Sequence, residues 1–335
     1  MDKKAKVLVT GANGLLGTNT IIELLQQGYG VVGFLRDKNR FIGEKHHNLE
    51  LIEGNILCPK DMAKALHNCT YVVHTAALTD PGLFSYEPYK KINVIGTKNV
   101  VDSAINAKVK KLVYVGTANV HGFGSLNNLG NESKQIMEPF SKLYYAISKR
   151  EAQEYVLSMK NKIDITVVNP SFMIGAYDSK PSSGRIILMV LKKGFLLCPP
   201  GGKSFICVND VSKGIVKALE DGVNGETYLL SNENMNYKTF FNLVKDKTGS
   251  SMVIIPIPKC FLLLLGNVGS FMRSFGINTQ FSIGNMKALC VYGYYSNEKA
   301  KTHLGVSFNP IENGIEDALD WFKKNHNYHL NYSKK

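Results

Sequence analysis

Tyr145 and Lys149, in the run YAISK, fall within KLYYAISKREAQEYV, a stretch that reads as helix, so a phenol and an ammonium lie one turn apart on one face. A free phenol, with a pKa of about 10, exchanges protons poorly near neutrality, and a cation beside it is expected to lower that value. The pair therefore suits proton transfer to or from an oxygen, with Lys149 supplying the shift. Upstream, the apolar run KLVYVG delivers Thr117, in GTANVHG, to the carboxyl end of a strand. Open α/β sheets bind ligands at that edge, and a hydroxyl there can hold a carbonyl oxygen.

Near the start, Thr10-Gly11-Ala12-Asn13-Gly14-Leu15-Leu16-Gly17 joins an apolar run to the helical pattern NTIIELLQQ, which stops at Gly28. A turn that presses backbone N–H groups against a pyrophosphate has no room for side chains, and the helix start behind it offers unpaired donors and partial positive charge. The placement predicts a dinucleotide cradle. Its glycines are evenly spaced, unlike the common fingerprint in which the first two stand closer. The next apolar run ends in FLRDKNR. There Arg36 suits the 2′-phosphate of NADP, Asp37 suits the ribose hydroxyls of NAD, and Lys38 or Arg40 adds positive charge; NADP is the favoured reading.

The elements that must position these groups show as apolar runs at AKVLVT (5–10), VVGFL (31–35), LELIE (49–53), YVVHTA (71–76), KLVYVG (111–116) and DITVVN (164–169), separated by longer helical patterns. This alternation predicts an α/β fold, a doubly wound parallel sheet of the Rossmann type, because each crossover returns over the sheet with the same hand. It breaks down from Phe172. A smaller, mostly helical C-terminal substrate lobe is expected over about 172–203 and 233–335, with 1–171 and about 204–232 forming the dinucleotide-binding domain. FICV (205–208), a helix capped by Asp210 and ETYLLS (226–231) read as one more strand-helix-strand unit. CFLLLLGNVGSFM (260–272) is uncharged over 13 residues. That is short of the roughly 20 a bilayer crossing needs, so it reads as a buried or lid helix, or as an interfacial patch suited to an oily substrate.

With 335 residues, 44% of them hydrophobic and 20% charged, the composition is that of an ordinary globular protein. Disordered, collagenous and disulfide-scaffold classes are excluded. The formal charge of +13 is spread out, with its densest patches at Lys3, Lys4 and Lys6, at Lys108 to Lys111 and at Lys334 and Lys335. These read as solvated surface, so no nucleic-acid partner is expected. Cys58, Cys69, Cys198, Cys207, Cys260 and Cys290 make no CxxC pair, and no metal site is expected. His46, His47, His326 and His329 read as surface imidazoles, His74 and His121 as core or rim. No basic-then-apolar leader precedes the first strand, which favours the cytoplasm.

Together, TGANGLLG, VVHTAA, NVIGTKNV, VYVGTANVHG, YAISK and VNPSFMIG resemble the extended short-chain dehydrogenase/reductase family, the NAD-dependent epimerase/dehydratase superfamily, over nearly the whole chain. VGFLRD and GGKSFICVNDVSKGI look closest to its dihydroflavonol reductase and 3β-hydroxysteroid dehydrogenase-like branch. The resemblance implies a catalytic set of Thr117 in place of the usual serine, Tyr145 as acid/base, Lys149 as ribose ligand and pKa modifier, and Asn93 supporting a proton relay. It also implies cofactor contacts from Gly11, Asn13, Gly14, Leu15, Leu16, Gly17, Arg36, Asn55, Ile56, Ala76, Ala77, Tyr145, Lys149 and Pro170, with Asn55 standing where the family commonly has aspartate.

The expected reaction is hydride transfer between NADP, or NAD, and a carbonyl or alcohol of a small, apolar substrate. Phe172, Met173, Phe195, Phe261 and Phe271 are its candidate pocket residues. An NAD-dependent nucleotide-sugar epimerase or dehydratase is the alternative. Against it, Lys203 replaces an arginine fork, and Asn169-Pro170-Ser171-Phe172-Met173 lacks the asparagine that often follows the proline. A non-catalytic NADP-binding sensor is a second alternative, and a homodimer is allowed.

Overall fold

A computed structural model describes residues 4–192, 194–277 and 279–325. Lys3, Lys334, Lys335, His326 and His329 lie outside the described residues. Strands and helices alternate from the start: β1 (Lys4–Thr10), α1 (Leu15–Gln26), β2 (Tyr29–Leu35), β3 (Leu49–Glu53), α2 (Pro59–Ala65), β4 (Tyr71–His74) and α3 (Glu87–Tyr89). A π-wound turn (Lys90–Ile95) leads on to α4 (Gly96–Asn106), β5 (Lys111–Val115), α5 (Tyr144–Ser158) and β6 (Asp164–Pro170). Then come β7 (Phe172–Ile174), α6 (Arg185–Val190), β8 (Phe195–Cys198), β9 (Gly202–Cys207), α7 (Val208–Asp221), β10 (Thr227–Leu230) and β11 (Glu233–Asn236). The chain closes through α8 (Tyr237–Thr248), β12 (Val253–Pro256), α9 (Lys259–Ser274), α10 (Ile283–Ala288), β13 (Tyr292–Gly293), α11 (Glu298–Leu304) and α12 (Ile311–Lys324).

Seven strands make one wholly parallel sheet, in the order β10-β6-β5-β4-β1-β2-β3. The inner strands are apolar along their length because helices cover both faces. Val9, Val31 and Val113 pack with Ile21 and Leu24 of α1 and Ile215 of α7 on one side. Leu8, Val32 and Leu112 pack with Met62, Val100 and Val156 on the other. Strand order reverses between β1 and β4, whose carboxyl ends lie level, Thr10 beside His74. The carboxyl edge at such a reversal is the usual ligand position of an open α/β sheet. His74 is a core histidine at this edge, with Nδ1 2.7 Å from Thr10 Oγ1 and Nε2 3.0 Å from Thr97 Oγ1. Burial lowers its pKa to about 3.

Three local expectations are corrected. Phe205, Ile206 and Cys207 of FICV lie in β9, which joins β7, β11 and β13 in a separate four-stranded sheet, and Val208 opens α7, so only β10 of the last expected unit enters the main sheet. The apolar face of β9 packs in the C-terminal core instead, Phe205 stacking on Phe240 at 4.2 Å between ring centroids. Asp210 does not cap α7, which begins two residues earlier at Val208. Its buried carboxylate accepts from the Asn309 backbone N–H at 2.7 Å and from Asn309 Nδ2 at 2.5 Å, tethering α7 to the approach of α12. And α9 is not buried: only Leu262, Gly266 and Gly269 are covered, while a full apolar stripe faces outward.

Candidate active site

The glycine turn forms where β1 ends. Gly11 has φ +71°, and a Cβ there would stand 2.9 Å from the backbone N and Cα of Ala76. At Gly17 a Cβ would lie 2.1 Å from the Gly11 carbonyl oxygen. The chain's own packing therefore requires the outer two glycines. Gly14 differs, since a Cβ there meets only Gly11 O, at an ordinary 3.4 Å. It is exposed, extended (φ −88°, ψ 164°) and offers no side-chain cap, so no side chain caps the first N–H groups of α1, at Leu15, Leu16 and Gly17. Bare donors at a helix start, under a glycine that the protein does not itself need, fit a pyrophosphate. The cradle suits a dinucleotide.

At the carboxyl end of the neighbouring β2, Asp37 is occupied: its carboxylate accepts from Asn39 N–H at 3.0 Å and pairs with Arg40 at 3.1 Å. Arg36 is exposed. Beyond β3, Asn55 is exposed, its Oδ1 accepting from Leu57 N–H at 3.0 Å, with Ile56 half-buried beside it. Ala76 and Ala77 follow β4, the Ala76 N–H donating to Thr10 Oγ1 at 3.3 Å. Pro170 ends β6, and the next residue, Ser171, has a buried hydroxyl with no partner. All of these stand at the carboxyl edge of the main sheet.

Thr117 follows β5 and is 8% exposed. Its side chain lies beside Tyr145, in the first turn of α5, and its Oγ1 accepts from the Asn119 N–H at 3.4 Å. Lys149, one turn on, lies on the buried stripe of α5 with Ala146, Ala152 and Val156. Its Nζ donates to Val115 O at 2.7 Å and sits 4.3 Å from the centre of the Tyr114 ring. Burial raises the Tyr145 pKa to about 12, the neighbouring Thr117 hydroxyl pulling the other way, and burial lowers that of Lys149 to about 7. The expected depression of the phenol by the lysine is therefore not seen in this state. The lysine's bond goes to a backbone carbonyl, and loss of water around the phenol outweighs other effects.

Asn93, fully buried in the π-wound turn, accepts from Leu78 N–H at 2.7 Å. Its Nδ2 donates to Leu78 O at 3.0 Å and to Ser148 Oγ at 2.9 Å. Ser148 Oγ in turn donates to Tyr145 O at 2.8 Å. Asn93 thus clamps the loop after Ala77 against α5, and both its amide hydrogens are used. Leu78 and Ser148 were invisible to sequence reasoning, because their part is a long-range contact with no local pattern.

Residues 7–231 match the model of the NAD dependent epimerase/dehydratase family. The chain belongs to that family. Its relatives there are named as reductases, dehydrogenases and epimerases, and this protein is an NAD(P)-dependent oxidoreductase of the extended short-chain type. It is 29% identical to a putative dihydroflavonol 4-reductase of Synechocystis sp., over 96% of this chain and 95% of that protein. The crystal structure of gox2253 superposes with a TM-score of 0.82 at 27% identity, covering 96% of this chain and 99% of that one. Thermus thermophilus UDP-glucose 4-epimerase, a complex with NAD, shares the fold, with a TM-score of 0.74 at 16% identity over 95% and 99% of the two chains.

Lys203, on β9, holds its ammonium 5.2 Å from the Phe172 ring centre, and burial lowers its pKa to about 8. The five apolar pocket candidates do not share one surface. Phe172 and Met173 are half-buried on β7, but Phe195, Phe261 and Phe271 are exposed on the outside of the C-terminal region.

Proposed function

We propose that the protein transfers hydride between NADP and a carbonyl or alcohol of a small, apolar substrate, with Thr117, Tyr145 and Lys149 as its catalytic residues. The closeness of Thr117 to Tyr145, backed by the buried Lys149 at the same sheet edge as the glycine cradle, carries this reading. The backbone from Gly11 through Asn13, Gly14, Leu15, Leu16 and Gly17 would hold the pyrophosphate, Arg36 the 2′-phosphate, and Asn55 and Ile56 the adenine end. Ala76, Ala77, Pro170 and Lys149 complete the set. When bound, the nicotinamide supplies or accepts the hydride.

A substrate oxygen placed between the neighbouring Thr117 and Tyr145 hydroxyls would bond to both. In the reductive direction Thr117 holds the oxygen while Tyr145 Oη gives up its proton as negative charge develops there. A phenol held at about 12 acts as an acid only if the phenolate left behind is stabilised. Lys149 is the buried cation one turn away, and a switch of its Nζ from Val115 O supplies that charge. Asn93 is a positioning residue for the loop over the site. Occupation of Asp37 by Arg40, with Arg36 left exposed, supports NADP.

The nucleotide-sugar epimerase reading is favoured by one observation, the fold shared with an NAD-bound UDP-glucose 4-epimerase. Lys203 weighs against it, because a half-desolvated point charge grips a diphosphate less well than a guanidinium fork. NADPH oxidation by the purified protein, screened across ketones and aldehydes, tests the proposal. Tyr145→Phe should lower kcat by about 10²–10⁴-fold while leaving NADP affinity unchanged. Turnover retained in that variant overturns the catalytic assignment; UDP-sugar epimerisation without net oxidation favours the rival, and binding without any turnover favours a sensor.

A further inference from the structure

One side of α9 gives the helix a fixed seat: a Cβ on Gly266 would stand 2.9 Å from Ile283 Cα, and one on Gly269 1.7 Å from Phe281 O, so α10 and its approach lie close against it. The opposite side carries Phe261, Leu264, Val268, Phe271 and Phe275, each between 41% and 69% exposed. Just upstream, β12 pairs with β8, and the paired residues Val253 with Phe195 and Ile255 with Leu197 are exposed, while Leu196 and Cys198 are buried. Exposed apolar side chains are ordinarily scattered; continuous stripes mark a surface that something covers.

The charge beside these stripes selects the occupant. From 247 to 297 the sequence holds Lys247, Lys259, Arg273 and Lys287 and no Asp or Glu, and from 179 to 209 it holds five Lys or Arg and again no acid. Lys192 before β8, Lys259 at the start of α9 and Lys287 in α10 are exposed. A second copy laid on this face by two-fold symmetry would bring two cation-rich surfaces together, with Glu138, near Lys287, as an acid at the margin. An anionic headgroup layer supplies the missing charge, and an apolar helix face enters such a layer. Among the described residues no helix is long and apolar enough to cross a membrane, so α9 would lie in the interface.

The same module borders the candidate active site. Arg273 Nη2 donates to Pro81 O at 3.0 Å and Asn285 Nδ2 to the same oxygen at 3.1 Å, in the loop that Asn93 clamps at Leu78. A Cβ on Gly284 would lie 2.8 Å from Leu143 Cδ2, two residues before Tyr145. We propose that the outer face of α9, with the β8–β12 ribbon, docks on the surface of an anionic bilayer and sets the rim of the site at the lipid interface. The docking stands apart from the reaction proposed above; only delivery of an apolar substrate from the lipid rests on that reading.

Flotation of the full-length protein with vesicles of phosphatidylcholine, alone or mixed in equal parts with phosphatidylglycerol, tests it without any measure of turnover. The protein should float with the mixed vesicles and be released by salt. Leu264→Glu with Phe271→Glu should cut the bound fraction about tenfold or more, with unfolding temperature and NADP binding unchanged. Lys259→Glu with Lys287→Glu, which touches no apolar residue, should weaken binding to the mixed vesicles alone. Wild-type protein that stays in the bottom fraction, or flotation indifferent to both pairs of substitutions, overturns the proposal. So does a lipid-free dimer that the Leu264→Glu, Phe271→Glu protein cannot form, since a second copy would then own the face.

Discussion

The ammonium of Lys149 shares a stripe of α5 with Ala146, Ala152 and Val156, and removal from water holds its pKa near about 7. The folded protein therefore releases this proton more readily than the unfolded chain does. Above pH 7 and below the ordinary lysine range the unfolded state binds more protons, so this residue makes stability rise with pH there. A dinucleotide brings negative charge to the site and favours the ammonium. Binding at pH 8 should take up a proton, up to one per site, and the uptake should fade below pH 7, where Lys149 is already charged. Calorimetry in buffers of differing ionisation enthalpy reads this directly. Lys149→Met should abolish the uptake; an unchanged value would assign the proton to another group.

At the scale of elements, the β1–α1 turn separates two kinds of glycine. Gly17→Ala forces a Cβ to 2.1 Å from Gly11 O, so the turn must open, at a cost of at least about 1–3 kcal/mol. Gly14→Ala has room for its methyl and should unfold within about 1 kcal/mol of wild type. It should nonetheless lose at least tenfold in dinucleotide affinity, about 1.4 kcal/mol, because the methyl stands where backbone must approach phosphate. Thermal melts with and without NADP separate the two cases, and a Gly14→Ala protein that binds normally would remove the cradle role. This turn was legible in the sequence because the chemistry is local: strand, three small residues, helix. The central strands were legible for a related reason, since burial on both faces leaves runs such as KVLV and KLVYV with no polar alternation. FICV was misplaced because a short apolar run fits either of two sheets, and its partners, Phe172 and Glu233, are set by tertiary pairing. Likewise FLLLLG reads identically whether its outward side chains meet protein or not; only the close approach of Gly266 and Gly269 to α10 reveals which side is covered.

Over the whole molecule, the proposed cofactor site draws on parts far apart in sequence. Asn19 of α1 donates to Ala176 O at 3.0 Å beyond β7, and Arg36, Thr117 and Tyr145 come from the ends of β2, β5 and the start of α5. A dinucleotide that engages all of them stabilises the folded state as a unit, by about 2.7 kcal/mol at a concentration of 100 times Kd. NADP should therefore raise the unfolding temperature more than NAD at equal concentration. The difference lies in Arg36, whose guanidinium is exposed and free of the Asp37–Arg40 pair. Arg36→Ala should weaken NADP by roughly 10- to 100-fold, the worth of one charge-assisted contact, and bring its thermal shift down to that of NAD while leaving the NAD shift unchanged. Equal shifts by the two cofactors in the wild-type protein would take Arg36 out of the site, and a shift produced by a UDP-sugar but not by NADP would move the weight to the epimerase reading.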